Sequence, residues 1–272
     1  MKKNKANFLD PIRCLIENWS LVVSLVQREV IGRYQGSVLG IFWSFANPLF
    51  MLGVYTFVFT VIFKSRWAGG TGSKVEFALL LFAGLIVFNI FAECVNRAPG
   101  LIVANANYVK KVVFPLEVLP WVAIGASLFH AAVSLLVWIL AYLLFIGMPH
   151  ASILLVPIII FPLVLLILGL SWILASLGVY LRDVSQLVGI CTAMLMFLSP
   201  IFYPTSALPE SYHKLFMLNP LVPVIEQVRS VIFFGTSIDW VVYFIYLTLA
   251  SIFSWLGLAW FQKTRMGFSD VI

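Results

Sequence analysis

Residues 153–181 read ILLVPIIIFPLVLLILGLSWILASLGVYL. No charged side chain interrupts the run, and about 20 such residues in a helix already cross the hydrocarbon core of a bilayer. A stretch this long tilts or projects beyond the lipid. Five more apolar stretches surround it: about Val38 to Phe63, Phe77 to Val95, Leu116 to Ile146, Leu187 to Tyr203 and Trp240 to Phe261. Six spans of this size take up roughly half the chain. The composition agrees, with 62% hydrophobic and 10% charged residues against about 45–50% and 25% in soluble domains. A soluble enzyme, a nucleic-acid-binding module and a disordered chain are thereby excluded. The expectation is an all-α membrane protein of six transmembrane helices, forming one transmembrane domain over residues 1–272.

The most polar part is residues 1–36. Between Ile12 and Arg33 apolar residues recur at Leu15, Ile16, Trp19, Val22, Val23, Val26 and Val30, with Glu17, Gln27, Arg28, Glu29 and Arg33 in other positions. This spacing predicts an amphipathic helix lying in the membrane interface; packing on a soluble partner would use the same pattern. Charge sets the orientation. With the N-terminus inside, the inner segments carry twelve Lys and Arg and the outer ones five, which places both termini in the cytoplasm. The net charge of +6 therefore marks a membrane side rather than a nucleic-acid partner. Cys14, Cys94 and Cys191 have neither disulfide nor zinc spacing.

Two connections carry structure of their own. Residues 97–114 open with Arg97-Ala98-Pro99-Gly100, continue through Asn105, Asn107, Tyr108, Lys110 and Lys111, and stop at Phe114-Pro115. Pro99 suits a first helical turn, and the run is too short and basic to enter lipid. It reads as a short cytoplasmic helix. Residues 204–238 hold Pro204, Pro209, Pro220 and Pro223 around two short apolar segments, Leu215–Leu218 and Val224–Phe234. A hairpin of short helices dipping into the outer leaflet fits them, because helical backbone satisfies its own hydrogen bonds there.

Four stretches, in order along nearly the whole chain, resemble one family. They are REVIGRYQGSVLGIFWSFANPLFMLGVYTFVF at 28–59, NANYVKKVVFPLEVLP at 105–120, LRDVSQLVGICTAMLMFLSPIFYP at 181–204 and NPLVPVIEQVR at 219–229. The sequence is similar to the membrane-spanning subunits of type-2 ABC exporters, in the polysaccharide-exporting branch and the O-antigen type within it. The resemblance implies a homodimer in a bacterial inner membrane, with two ATP-binding cassette subunits beneath it that bind ATP and Mg. It implies that the N-terminal arm is an interface helix, that the 97–114 loop carries the coupling helix and that the 204–234 region forms gate helices. The implied cargo is a lipid-linked polysaccharide moved to the periplasmic side, with capsular polysaccharide or teichoic acid as alternatives.

The residues bear on this reading from below. No G-x-x-x-x-G-K-[ST] phosphate loop occurs in the sequence, so the chain is expected to be no enzyme. A passage for sliding glycan calls for aromatic faces. Trp43, Phe50 and Phe57 lie at seven-residue spacing on nearly one helical face, and Phe197, Phe202 and Tyr203 lie at the end of the fifth span. Lipid-facing or packed aromatics would show the same spacing. Gly32, Gly36 and Gly40 allow either close helix packing or a bend. Asn105, Asn107, Tyr108, Lys110 and Lys111 offer a grip for an ATPase, or an anchor on anionic lipid. Asp183 beside Arg182 reads as an ion pair at a turn. Glu93, Glu117 and His130 are the ionisable groups in or near the spans; Glu93 and Glu117 can reach interfacial water or pair with Arg97, Lys110 or Lys111. That scarcity weighs against an ion-coupled secondary transporter, and no Asp/His/Arg cluster marks an intramembrane glycan or lipid transferase.

Overall fold

The computed structural model describes residues 10–62, 73–109, 114–207 and 209–271. These residues are helical, and no strand occurs among them. Two helices, α1 (Asp10–Glu17) and α2 (Trp19–Tyr34), precede α3 (Trp43–Phe57) and α4 (Lys74–Arg97). Two four-residue helices follow, α5 (Leu101–Ala104) and α6 (Ala106–Val109). Then come α7 (Leu119–Phe145), α8 (Val156–Tyr180), α9 (Val184–Leu198), α10 (Glu210–Met217), α11 (Leu221–Ile232), α12 (Trp240–Thr264) and α13 (Phe268–Val271). With their flanking turns, five helical segments are long and apolar enough to cross a membrane: Gly40–Phe57, Val75–Ala104, Leu116–Phe145, Ala151–Tyr180 and Trp240–Val271.

The remaining apolar stretch departs from expectation. Its helix, α9, starts at Val184 and ends at Leu198 rather than running from Leu187 to Tyr203. Its 15 residues reach only about 22 Å. The cause is Pro200: a residue before proline is pushed out of the helical region, and Ser199 has ψ 148°. The N-terminal arm departs too. It forms two helices broken at Asn18, whose side-chain amide donates to the Cys14 carbonyl at 2.9 Å, a local bond that competes with helix continuation.

The bundle is built around α4 and α8. Leu80, Leu81, Ala83 and Val87 of α4 are fully buried, as are Leu163, Ile167, Leu168, Trp172 and Ala175 of α8. Lipid tails are as apolar as these side chains, so close backbone packing rather than water exclusion must hold the spans together. The α8–α12 contact shows the device. A Cβ on Gly257 would overlap the Gly169 carbonyl and stand 2.7 Å from its Cα. Phe50, Val54 and Phe57 of α3, Met194 and Phe197 of α9, and Val241, Ile245 and Leu249 of α12 remain exposed, an apolar surface of the kind lipid covers.

Long-range bonds define the two ends of the bundle. At one end Trp121 Nε1 donates to the Pro11 carbonyl at 3.2 Å, and Tyr180 Oη donates to the Thr264 carbonyl at 3.0 Å. Arg265 pairs there with Glu117 at 2.5 Å. This end thus gathers α1, the start of α7 and the last turns of α8 and α12. At the other end Ser152 Oγ donates to the Val231 carbonyl at 2.6 Å. Asp239 caps α12 by accepting from the amides of Val241 and Val242 at 3.0 and 3.2 Å.

Candidate functional site

A cleft of about 640 Å³ opens between the end of α2 and helices α3, α4 and α7. Along α4 its polar wall is Asn89, Glu93, Asn96 and Arg97, with apolar Phe82, Leu85, Ile86, Ile90 and Ala92 beside them; the polar four stand at i, i+4, i+7 and i+8 and hence on one helical face. Asn89 is exposed while Val87, Phe88, Ile90 and Phe91 around it are buried. Opposite stand Trp43 and Asn47 of α3, and His130 of α7. Arg33 and Tyr34 of α2 complete the wall at one end.

The charges in this cleft are matched. Arg33 Nη1 donates to Glu93 Oε1 at 2.5 Å, and Arg97 pairs with Glu29 at 2.5 Å. His130 Nδ1 lies 3.1 Å from both Glu93 oxygens and 3.0 Å from Arg33 Nη1. A proton on Nδ1 lets the ring donate to the carboxylate and leaves Nε2 to accept from Tyr34 Oη at 3.4 Å. Burial pushes the Tyr34 phenol above its ordinary range, Glu93 adding to the shift and Arg33 opposing it, so the hydroxyl keeps its proton. Glu93 therefore pairs with Arg33 and His130, while Arg97 stands 4.0 Å away. Glu117 binds Arg265; of its expected partners, Lys110 and Lys111 lie outside the described residues.

Three charged residues of α2 bond to other parts of the protein while Ser24 and Gln27 stay exposed. Besides Glu29 and Arg33, Arg28 donates to Tyr108 Oη at 2.9 Å, tying α2 to α6. The Tyr108 ring stacks on Phe114 at 4.2 Å. Asn105 turns back on its own helix, its amide donating to the Leu101 carbonyl at 2.9 Å. Asn107 is exposed. Lys110 and Lys111 lie outside the described residues.

The aromatic residues singled out in the sequence fall into separate places. Trp43 lines the cleft; Phe50 and Phe57 are exposed on α3. Phe197, Phe202 and Tyr203 do come together. Phe197 and Phe202 stack at 5.9 Å, and Tyr203 Oη donates to the Phe197 carbonyl at 3.0 Å. Phe59 stacks on Phe202 at 5.4 Å, joining this group to the segment that follows α3. Of the three glycines, Gly36 and Gly40 take positive φ, 85° and 51°, in the turn between α2 and α3. A Cβ on Gly32, Gly36 or Gly40 would meet nothing within 4 Å.

Arg229, counted in the sequence only as an outer-loop charge, is fully buried in α11. Its Nε donates to the Leu80 carbonyl at 2.8 Å and its Nη2 to the Ile201 carbonyl at 2.7 Å. Nη1 donates to the Pro200 carbonyl, and Glu226 stands at 3.5 Å. One side chain thus pins α11 to α4 and to the stretch where α9 stops. The three carbonyls it binds lie 28 to 149 residues away, beyond any local pattern. The Asn89-Glu93-Asn96-Arg97 face, by contrast, was legible as a polar stripe on an apolar helix and was missed.

The family model for ABC-2 type transporters matches residues 20–233. The chain belongs to the ABC-2 type transporter family. This ABC-2 permease is 28% identical over 256 residues to the O-antigen export system permease protein RfbA of Klebsiella pneumoniae, covering 93% of the chain and 95% of that protein. It is 28% identical over 268 residues to the protein of the same name from Myxococcus xanthus, covering 96% and 98%. Against the polysialic acid transport protein KpsM of Escherichia coli the identity is 26% over 253 residues, covering 89% and 92%. In ABC-2 transporters the ATPase activity lies in a subunit separate from the permease.

Proposed function

We propose that this chain is the membrane-spanning subunit of an ATP-driven exporter that moves lipid-linked polysaccharide, of the O-antigen kind, from the cytoplasmic to the periplasmic side of the bacterial inner membrane. The observation that carries the reading is near-full-length similarity to permeases named for O-antigen export. Two copies work with two ATP-binding cassette subunits, which bind ATP and Mg, and the whole sits among membrane lipids. Capsular polysaccharide is the second reading, favoured by the similarity to a polysialic acid transport protein.

The finer organisation follows the same reading. Residues 1–272 form one transmembrane domain of six spans, with α9 and the turn Ser199–Tyr203 together making the fifth. Both termini are cytoplasmic, in keeping with α1 and the end of α12 lying at one end of the bundle. The arm over residues 1–36 rests at the interface, and Gly32, Gly36 and Gly40 let its link to the first span turn or pack. The 97–114 loop docks the ATPase through Asn105, Asn107, Tyr108, Lys110 and Lys111. Residues 204–238 form the outer gate. Trp43, Phe50, Phe57, Phe197, Phe202 and Tyr203 line the glycan's way.

Deletion in the native host tests the cargo. Lipid-linked glycan is expected to accumulate inside and to vanish from the surface; normal surface glycan would refute the reading. Complementation tests the parts. A copy with Asn105–Lys111 replaced by a neutral linker is expected to insert normally, lose its ATPase on co-purification and fail to restore export. Retained complex with retained export would remove the docking role. A copy carrying Tyr203→Ala is expected to assemble yet export less, and wild-type surface glycan would remove it from the passage.

A further inference from the structure

The cleft between α2, α3, α4 and α7 carries polar side chains that packing alone does not demand. Asn47, Asn89 and Asn96 are exposed on its walls, and among the described residues no hydrogen bond holds their amides. An amide offers two donors and an acceptor, so three of them in one cleft present alternating donors and acceptors without a partner. Trp43 is 42% exposed on the same wall. Its indole gives an apolar face beside those amides.

We propose that this cleft is a subsite for an uncharged hexopyranose unit of the cargo. The proposal rests on the exporter reading above and names the chemistry that one place in it recognises. A pyranose presents hydroxyls around its rim and C–H groups on its face. The rim matches the Asn47, Asn89 and Asn96 amides and the Glu93–His130 pair, and the C–H face matches Trp43. The volume of about 640 Å³ falls within the range of about 300–1,000 Å³ usual for small-molecule sites.

The charge pattern excludes the other parts of a lipid-linked glycan. Arg33 is taken by Glu93 and Arg97 by Glu29, each at 2.5 Å. A diphosphate would meet guanidiniums that are each already paired with a carboxylate, which weakens their attraction for it. An acyl chain would cover three amides without offering them a hydrogen bond. A neutral polyhydroxyl ligand satisfies the amides and leaves both ion pairs intact.

The test uses the complete transporter, permease with its ATP-binding subunits, in lipid nanodiscs. The probe is the native host's surface glycan, freed of its lipid by mild acid. Saturation-transfer NMR titration reads the affinity and the sugar protons in contact. Wild-type transporter is expected to bind the free glycan. Asn89→Leu and Trp43→Ala should each weaken binding about tenfold, whereas Ile31→Ala, on the exposed side of α2, should not. Two variants on different helices guard against the loss of either to misassembly, which size-exclusion of the complex reports. Unchanged binding in both variants, no binding by wild type, or displacement of the glycan by equimolar inorganic pyrophosphate would each overturn the subsite. The deletion strain judges the exporter reading separately: surface glycan lost on deletion, with binding unaltered in Asn89→Leu, sinks the subsite alone.

Discussion

Arg229→Ala is expected to leave little folded permease in the membrane. The guanidinium fills a site where the Leu80, Pro200 and Ile201 carbonyls converge, and it is buried to 2% exposure. Leu80 lies inside α4 and keeps a helical partner. Pro200 and Ile201 lie where α9 has ended, so their carbonyls depend on a donor from outside. A buried carbonyl left without one costs about 1–3 kcal/mol. Glu226 would also lose a cation now 3.5 Å away. Breaking such a buried, hydrogen-bonded charge typically costs about 3–5 kcal/mol, a large part of the 5–15 kcal/mol that usually separates folded from unfolded protein. Arg229→Lys should rescue only partly, because one ammonium cannot reproduce a planar fork reaching three acceptors. Gly84→Ala gives an independent check, since its Cβ would stand 2.7 Å from Nη2 of Arg229. The measurement is fluorescence-detected size exclusion with a thermal ramp. Wild-type yield and melting temperature in Arg229→Ala would show that Arg229 is no anchor.

Arg229 also marks where the sequence stops informing. Apolar length is a local property, so the long helices beginning near Gly40, Val75, Leu116, Ala151 and Trp240 were readable within a few residues. The end of α9 was readable in principle from Pro200, but the apolar Ile201, Phe202 and Tyr203 drew the boundary past it. The arm's spacing predicts an amphipathic helix with its charges off the apolar face. Those charges are instead consumed by Glu93, Arg97 and Tyr108, residues 60 or more positions on for Arg33 and Arg28. Glu117 shows the same limit, its partner Arg265 lying 148 residues away. Pairing across such separations depends on which helices become neighbours, and hydropathy says nothing about that. Asn89 and Asn96 are a different failure. Their helical spacing with Glu93 is a local pattern, but a neutral amide on a helix carries no charge that sets it apart from an ordinary solvated side chain.

Gly178→Ala is expected to disturb the docking loop while leaving most of the bundle intact. Gly178 lies in the last turn of α8, against the turn Ala98–Gly100 that leads into α5 and α6. A Cβ there would overlap the Pro99 carbonyl oxygen and stand 2.6 and 2.7 Å from the Pro99 carbonyl carbon and Cα. Both sides of this contact are backbone, so no rotamer change can relieve it. Relief requires the end of α8 or the 98–109 segment to move, and the overpacking cost is about 1–3 kcal/mol. α8 is held along its length by α12, including the Gly169–Gly257 approach, whereas α5 and α6 have four residues each. The short loop is the element that gives way. If that loop docks the ATPase, as proposed above, Gly178→Ala should lower the ATP-binding subunit recovered with the permease several-fold, for a small loss of melting temperature. Gly189→Ala is the matched control. It sits in α9 with nothing within 4 Å of its Cβ, and replacing a helical glycine there should stabilise by about 0.5–1 kcal/mol. Equal ATPase recovery from Gly178→Ala and Gly189→Ala would mean that the position of this loop does not control docking.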